Sequence, residues 1–253
     1  ALLIYIFTVV HVPIAFMRFF FVFFLFCGTC LSAQNPSFQS YITGDSLDVV
    51  IQGQRQGVVL MGGNTENDHA MRWFLRRAGG GDVLVLRASG GDAYNNYLYS
   101  DLGVSVHSVQ TIVTLSAEGA ADPYVVRQVR NAEAIWLAGG DQAKYVQWWK
   151  DSPLGDALRS AIAQQRAIVG GTSAGMAILG DFYFSALNGS VTSSEALANP
   201  YDDKVTLGGG DFLQHPLLTG VITDTHYDAR NRKGRHVAWM ARIMRDYNVV
   251  PLG

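Results

Sequence analysis

The run Ala167-Ile168-Val169-Gly170-Gly171-Thr172-Ser173-Ala174-Gly175-Met176-Ala177-Ile178-Leu179 constrains this chain more than any other stretch. A short apolar segment reads as a buried strand, Gly171-Thr172-Ser173-Ala174-Gly175 fits G-x-S-x-G, and a helix-compatible segment follows at once. A serine at the tip of so tight a strand-to-helix bend needs neighbours without bulk. Its Oγ then points outward, and the N–H of Ala174 at the helix start faces the place where negative charge would develop.

Upstream, the same period repeats. Val58-Val59-Leu60-Met61, Val83-Leu84-Val85-Leu86, Thr111-Ile112-Val113-Thr114-Leu115 and Ala134-Ile135-Trp136-Leu137-Ala138 read as strands. Helical segments alternate with them, over Asp68 to Ala78, Asp122 to Arg130 and onward to Gln165. Strands apolar throughout, alternating with helices, predict a doubly wound α/β domain with a mostly parallel sheet covered on both faces. Ligands bind such sheets outside the carboxyl ends of the strands. Four of these strands end there in glycine turns, Gly62-Gly63-Asn64, Ser89-Gly90-Gly91, Gly139-Gly140-Asp141-Gln142 and Gly171-Thr172-Ser173. None fits a dinucleotide fingerprint or a phosphate loop with its lysine, so no nucleotide cofactor is expected. Gln34 to Gln56, polar and without a period, is expected to wrap the edge of the domain.

The N-terminus is different material. From Ala1 to Ala33 the only charged residue is Arg18, and Met17-Arg18 precedes a phenylalanine-rich apolar run and the small residues Leu31-Ser32-Ala33. Residues 17–33 read as a secretory signal peptide, residues 1–16 as sequence upstream of the true start, and residues 34–253 as one catalytic domain. An exported, periplasmic or extracellular protein with no stable membrane association after cleavage follows. Both cysteines, Cys27 and Cys30, fall in the leader, so the mature chain offers no disulfide, thiol nucleophile or cysteine metal site. No metal constellation is expected elsewhere. A net charge of −2 gives no basic footprint, which argues against nucleic acid as a partner.

Ser173 needs a base. His69 and His236 fall on helical stretches and His107 before a strand, whereas His226 ends the apolar run Val221-Ile222-Thr223-Asp224-Thr225-His226. Read as a strand, that run brings His226 to the edge that carries Ser173. Arg230, Arg232, Lys233 and Arg235 follow, guanidinium groups able to clamp a carboxylate. Two acids can orient the histidine: Glu195 on the loop after the nucleophile, and Asp224, which an i, i+2 relation on a strand puts on the same face as His226.

The Gly139–Gln142 turn, the Gly170–Gly175 run, and Asp224-Thr225-His226-Tyr227 with Arg230 and Arg235 together resemble cyanophycinase and its relatives, the serine peptidase family that also contains aspartyl dipeptidase (peptidase E). The resemblance implies a class I glutamine-amidotransferase-like three-layer α/β/α sandwich. It also implies hydrolysis of aspartyl or β-aspartyl-arginine peptide units through an acyl-enzyme, on a small peptide or a cyanophycin-like polymer. Carried over, Ser173 is the nucleophile, His226 the general base and Glu195 the acid. The N–H of Ala174 and one from Gly139 or Gly140 hold the oxyanion, and Gln142, Asp224, Arg230 and Arg235 line the pocket. Two departures stand out: the cyanophycinases carry glutamine where this chain has Thr225, and relatives run on into further strands, so a C-terminally incomplete domain is expected. A homodimer is compatible with these features. An esterase or amidase on the same scaffold, and a catalytically silent binding domain, are the other readings the residues leave.

Overall fold

Apolar runs of this length bury both faces only in a sheet with helices on either side. The computed structural model describes residues 35–253 except residue 54, so the leader read from the sequence lies outside the described residues. Its main sheet comprises β1 (Phe38–Gly44), β2 (Val58–Met61), β3 (Asp82–Arg87), β4 (Ser108–Thr114), β5 (Ala134–Leu137) and β6 (Ile168–Thr172). The spatial order is β1-β4-β3-β5-β6-β2, parallel throughout except for β1. A small antiparallel pair, β7 (Phe182–Phe184) and β8 (Leu207–Gly209), follows the nucleophile segment.

The helices are α1 (Asp68–Ala78), α2 (Ala93–Asn96), α3 (Ala117–Ala121), α4 (Pro123–Asn131), α5 (Gln142–Trp149), α6 (Pro153–Ala163), α7 (Ala174–Ala177), α8 (Ser193–Ala198) and α9 (Lys233–Tyr247). None among the described residues is long and apolar enough to cross a membrane. α1 shows how local sequence sets an element. Asn67 caps it by accepting the Ala70 N–H at 3.1 Å, Gly79 closes it at φ 67°, and Met71, Phe74, Leu75 and Ala78 form its buried stripe.

β3 displays the two-faced sheet residue by residue. Leu84 and Leu86 pack with Val125, Trp149 and Leu158, whereas Val83 and Val85 pack with Met71, Phe74 and Leu75. A third cluster joins β7, α8 and α9 through Phe184, Ala196 and Trp239.

Two sequence expectations are corrected here. The segment expected to wrap the edge contains β1, paired antiparallel with β4 from Phe38–Thr114 to Gly44–Ser108. An edge strand draws its order from backbone pairing, so its side chains need no apolar period. Conversely, Val221–His226 is no strand of the main sheet: Val221 and Ile222 make single bridges to Leu252 and Phe182 and the chain then leaves in a loop. The i, i+2 argument for Asp224 fails with it.

Gly170 lies in register between Val59 and Trp136. A Cβ there would come within 2.6 Å of Trp136 Cζ3 and 3.0 Å of Val59 Cβ, while the Trp136 ring is pinned edge-on to Phe74 at 5.4 Å. Gly170→Ala should therefore lower stability by about 1–3 kcal/mol through overpacking. A lower urea midpoint at unchanged slope is the expected result, and an unchanged midpoint would contradict this packing.

Candidate active site

Ser173 leaves β6 at φ 50°, ψ −120°, a conformation costing about 1–3 kcal/mol for a residue with a Cβ. Its N–H donates to Met61 O on β2 at 3.0 Å, and its carbonyl accepts the Ala177 N–H at 2.9 Å. The flanking glycines are dictated by contact. A Cβ on Gly175 would stand 2.0 Å from Leu137 O, and one on Gly171 2.6 Å from the Gly175 carbonyl carbon. Only glycine lets α7 start directly against the backbones of β5 and β6.

His226 arrives from the loop after Ile222, with φ 49° and its N–H bonded to Gly62 O at 2.7 Å. Its Nε2 lies 2.9 Å from Ser173 Oγ. With the hydroxyl proton donated to Nε2, the imidazole is the Nδ1–H tautomer. Gly63 makes room for it: a Cβ there would come within 2.5 Å of His226 Cε1. Sequence reading took Gly63 as a turn residue only, and nothing local reveals that it faces an imidazole 163 positions on.

Among the described residues the N–H groups of Ala174 and Gly140 make no backbone hydrogen bond. Tyr145 Oη donates to the carbonyls of Ala138 (2.9 Å) and Gly139 (3.2 Å), which fixes the turn carrying Gly140. A Cβ on Gly139 would be 3.4 Å from Ser173 Cβ, so this turn abuts the serine.

The acids expected near His226 are engaged elsewhere. Glu195 sits at the third position of α8 and forms a capping box: its carboxylate accepts the Thr192 N–H and Oγ1–H, both at 2.8 Å, and Lys204 Nζ at 3.2 Å. These bonds, those from Thr192 foremost, hold its pKa down to about 2. Asp224 turns inward, accepting Arg235 Nε at 2.6 Å and a second guanidinium nitrogen of the same residue, with Arg232 at 3.5 Å. Arg235 also donates to Ser190 Oγ and Val191 O and lies over the Phe184 and Trp239 rings. With its side chain 2 % exposed, it shapes a wall more than it offers donors to a ligand. Among the described residues no carboxylate lies within hydrogen-bond distance of the His226 ring, and no group of three His, Cys, Asp or Glu could hold a metal ion.

At the turn that abuts the serine, on the Gly140 side, opens a cavity of about 580 Å³, lined among others by Gly140, Gln142, Lys144, Trp148, Arg230 and Arg235. Gln142 is tied by Nε2 to Phe184 O at 3.1 Å. Arg232, which sequence reading gave no separate role, donates to Thr225 O (3.0 Å) and Oγ1 (2.9 Å) and so ties down the residue before the histidine. Burial, then the charges of Arg230 and Arg232, push the His226 pKa below its ordinary 6.5, against the weaker pull of Asp224.

Two outcomes follow for Ser173 reactivity, read as its rate of labelling by a fluorophosphonate. The rate should rise with pH through a half-point below 6.5, and Arg230→Gln should move that half-point upward, because removing a cation makes the imidazolium easier to form. An unmoved half-point would exclude Arg230 from the field at His226. Glu195→Ala should leave both the rate and the half-point where they are, whereas a collapse of labelling in a folded variant would put Glu195 back beside the histidine.

Residues 91–198 match Peptidase family S51. A cyanophycinase of Synechococcus elongatus is 27% identical over 192 residues, covering 72% of this chain and 56% of the relative. One of Nostoc sp. is 24% identical over 198 residues, covering 75% and 63% respectively. The chain thus spans little more than half the length of the cyanophycinases it matches. Among solved structures, a peptidase from an acI-B1 Actinobacterium shares the fold at a TM-score of 0.52 and 14% identity, over 72% of this chain and 74% of that one. Residues 91–198 thus carry the peptidase family S51 match, and the chain is distantly similar to the cyanophycinases.

Proposed function

We propose that this chain is a serine peptidase that cleaves aspartyl peptide bonds, β-aspartyl-arginine units among them, through an acyl-enzyme on Ser173. The observation that carries the reading is the 2.9 Å contact between Ser173 Oγ and His226 Nε2 at a strained strand-to-helix bend. As Oγ attacks the carbonyl carbon, its proton passes to Nε2. The oxyanion that forms meets the N–H groups of Ala174 and Gly140. The imidazolium then returns the proton to the leaving nitrogen, the C–N bond breaks, and a water deprotonated by His226 releases the acyl group. The depressed pKa suits this role, since the imidazole is neutral and ready to accept a proton at pH 7. Arg230 supplies the cation for the free carboxylate of the aspartyl residue. The reading extends to an exported enzyme, supported by the leader pattern at 17–33.

Release of the amino product from β-aspartyl-arginine and from α-aspartyl dipeptides by the full chain tests this directly. Ser173→Ala should reduce the rate by about 10⁴–10⁶, the scale on which removing a nucleophile acts. A folded Ser173→Ala protein that retained most of the activity would overturn the mechanism. Equal turnover of uncharged short-chain esters would overturn the assignment to aspartyl substrates.

A further inference from the structure

The cavity beside Ser173 is lined by more cations than its acids neutralise. Arg235 is spent on Asp224, Ser190 and Val191, and Arg232 on Thr225 and Asp224. Two others remain. Arg230 is exposed and Lys144 half-buried, and among the described residues the side chain of neither has an ion pair or hydrogen bond. Lys144 does have a fixed seat, with Nζ 5.4 Å from the centre of the Trp148 ring one helical turn along α5. The acid of this lining, Asp141, caps α5 by accepting the Ala143 N–H at 3.0 Å, so part of its charge is met by the helix start.

The two free cations come from different elements. Arg230, whose backbone N–H donates to His226 O at 3.0 Å, lies on the loop that carries the histidine, whereas Lys144 is carried by α5. A volume of about 580 Å³ accommodates a dipeptide between them.

We infer that the cavity is a two-carboxylate site, in which Arg230 takes the free carboxylate of the aspartyl residue and Lys144, seated over Trp148, takes a second carboxylate on the residue across the scissile bond. The step to the leaving residue is chemical. An aspartyl group joined through one carboxyl has only one other free, so a second anion must come from its neighbour. The preferred ligand is then an aspartyl peptide whose leaving residue ends in a free carboxylate or carries an acidic side chain. The inference rests on the reading of Ser173 and His226 as the reacting pair and adds to it a preference within that substrate class. An arginine side chain in this cavity would face Lys144 and Arg230 with Asp141 as its sole acidic counterpart.

Binding to the full-length Ser173→Ala protein tests this without turnover. Titration calorimetry would compare β-aspartyl-glycine, β-aspartyl-glycinamide and the α-amide of β-aspartyl-glutamate. The free acid should bind about tenfold more tightly than glycinamide, the scale of one charge-assisted hydrogen bond. The gap should close to about twofold when Lys144→Gln is added and reopen with Lys144→Arg. Tighter binding of the glutamate amide than of glycinamide would assign a side-chain carboxylate as an accepted source. Equal affinity for free acid and amide, or a gap that survives Lys144→Gln, would overturn the proposal, as would failure of all three peptides to bind. Because these readings need no catalysis, a selective cavity in a protein without serine-dependent turnover would refute the proposed activity alone.

Discussion

The backbone of Ser173 is the constraint on which the rest of the site depends. A residue with a Cβ held at φ 50°, ψ −120° must be over-determined by its surroundings. Here the surroundings are the middle of a parallel sheet. β2 receives the Ser173 N–H, β6 lacks side chains at Gly170 and Gly171, and α7 lacks one at Gly175, so α7 can begin against the backbones of β5 and β6. The order β5-β6-β2 then has a functional consequence. Three neighbouring strands end together, bringing the Gly139-Gly140 turn, Ser173 and the Gly62-Gly63 turn to one edge. The Gly140 turn, Ser173 and the seat for His226 are thus positioned by strand register and not by any one loop.

His226 is held by a different principle. His226 lies on a loop supported by only isolated bridges, and side chains do the work that a ladder does for Ser173. Asp224 and Arg235 form a buried pair below the loop, and Arg232 ties Thr225 to the same carboxylate. Such a pair contributes little net stability, yet removing one partner strands a buried charge at a cost of about 3–5 kcal/mol. Its value here is geometric and electrostatic. It immobilises the loop, beside which burial, then the charges of Arg230 and Arg232, hold the imidazole's pKa down.

The parts legible in the sequence were those in which one physical signal dominates. β3 to β6 are buried on both faces, β2 only in part, and all stand out as apolar runs, while the tight turn at Ser173 advertises itself through its glycines. β1 was invisible because its order comes from pairing with β4, which composition does not encode. Val221-Ile222 misled in the opposite sense: it is buried as a strand would be, but against Phe182 and Leu252 and outside the main sheet. Glu195 carried a second signal that competes with the first. Thr192-Ser193-Ser194-Glu195 is the S/T-x-x-E pattern of a capping box, and in the fold that local use absorbs the carboxylate. Arg235 was read as a ligand clamp from charge density, whereas its contacts with Phe184, Trp239 and Asp224 make it part of the interior.

The family match ends at residue 198, short of His226, so the case for the base rests on geometry. That geometry is demanding. A histidine at φ 49° is costly, a glycine is required at position 63 to admit its ring, and its N–H must find Gly62 O. Each feature is unfavourable or idle unless the imidazole is wanted at that point. Together they bring Nε2 to a serine 53 residues away whose own backbone is strained toward it. Two independently strained residues meeting at hydrogen-bond distance are far better accounted for by a shared chemical task than by packing, because close packing alone would be served more cheaply by an apolar side chain in relaxed backbone.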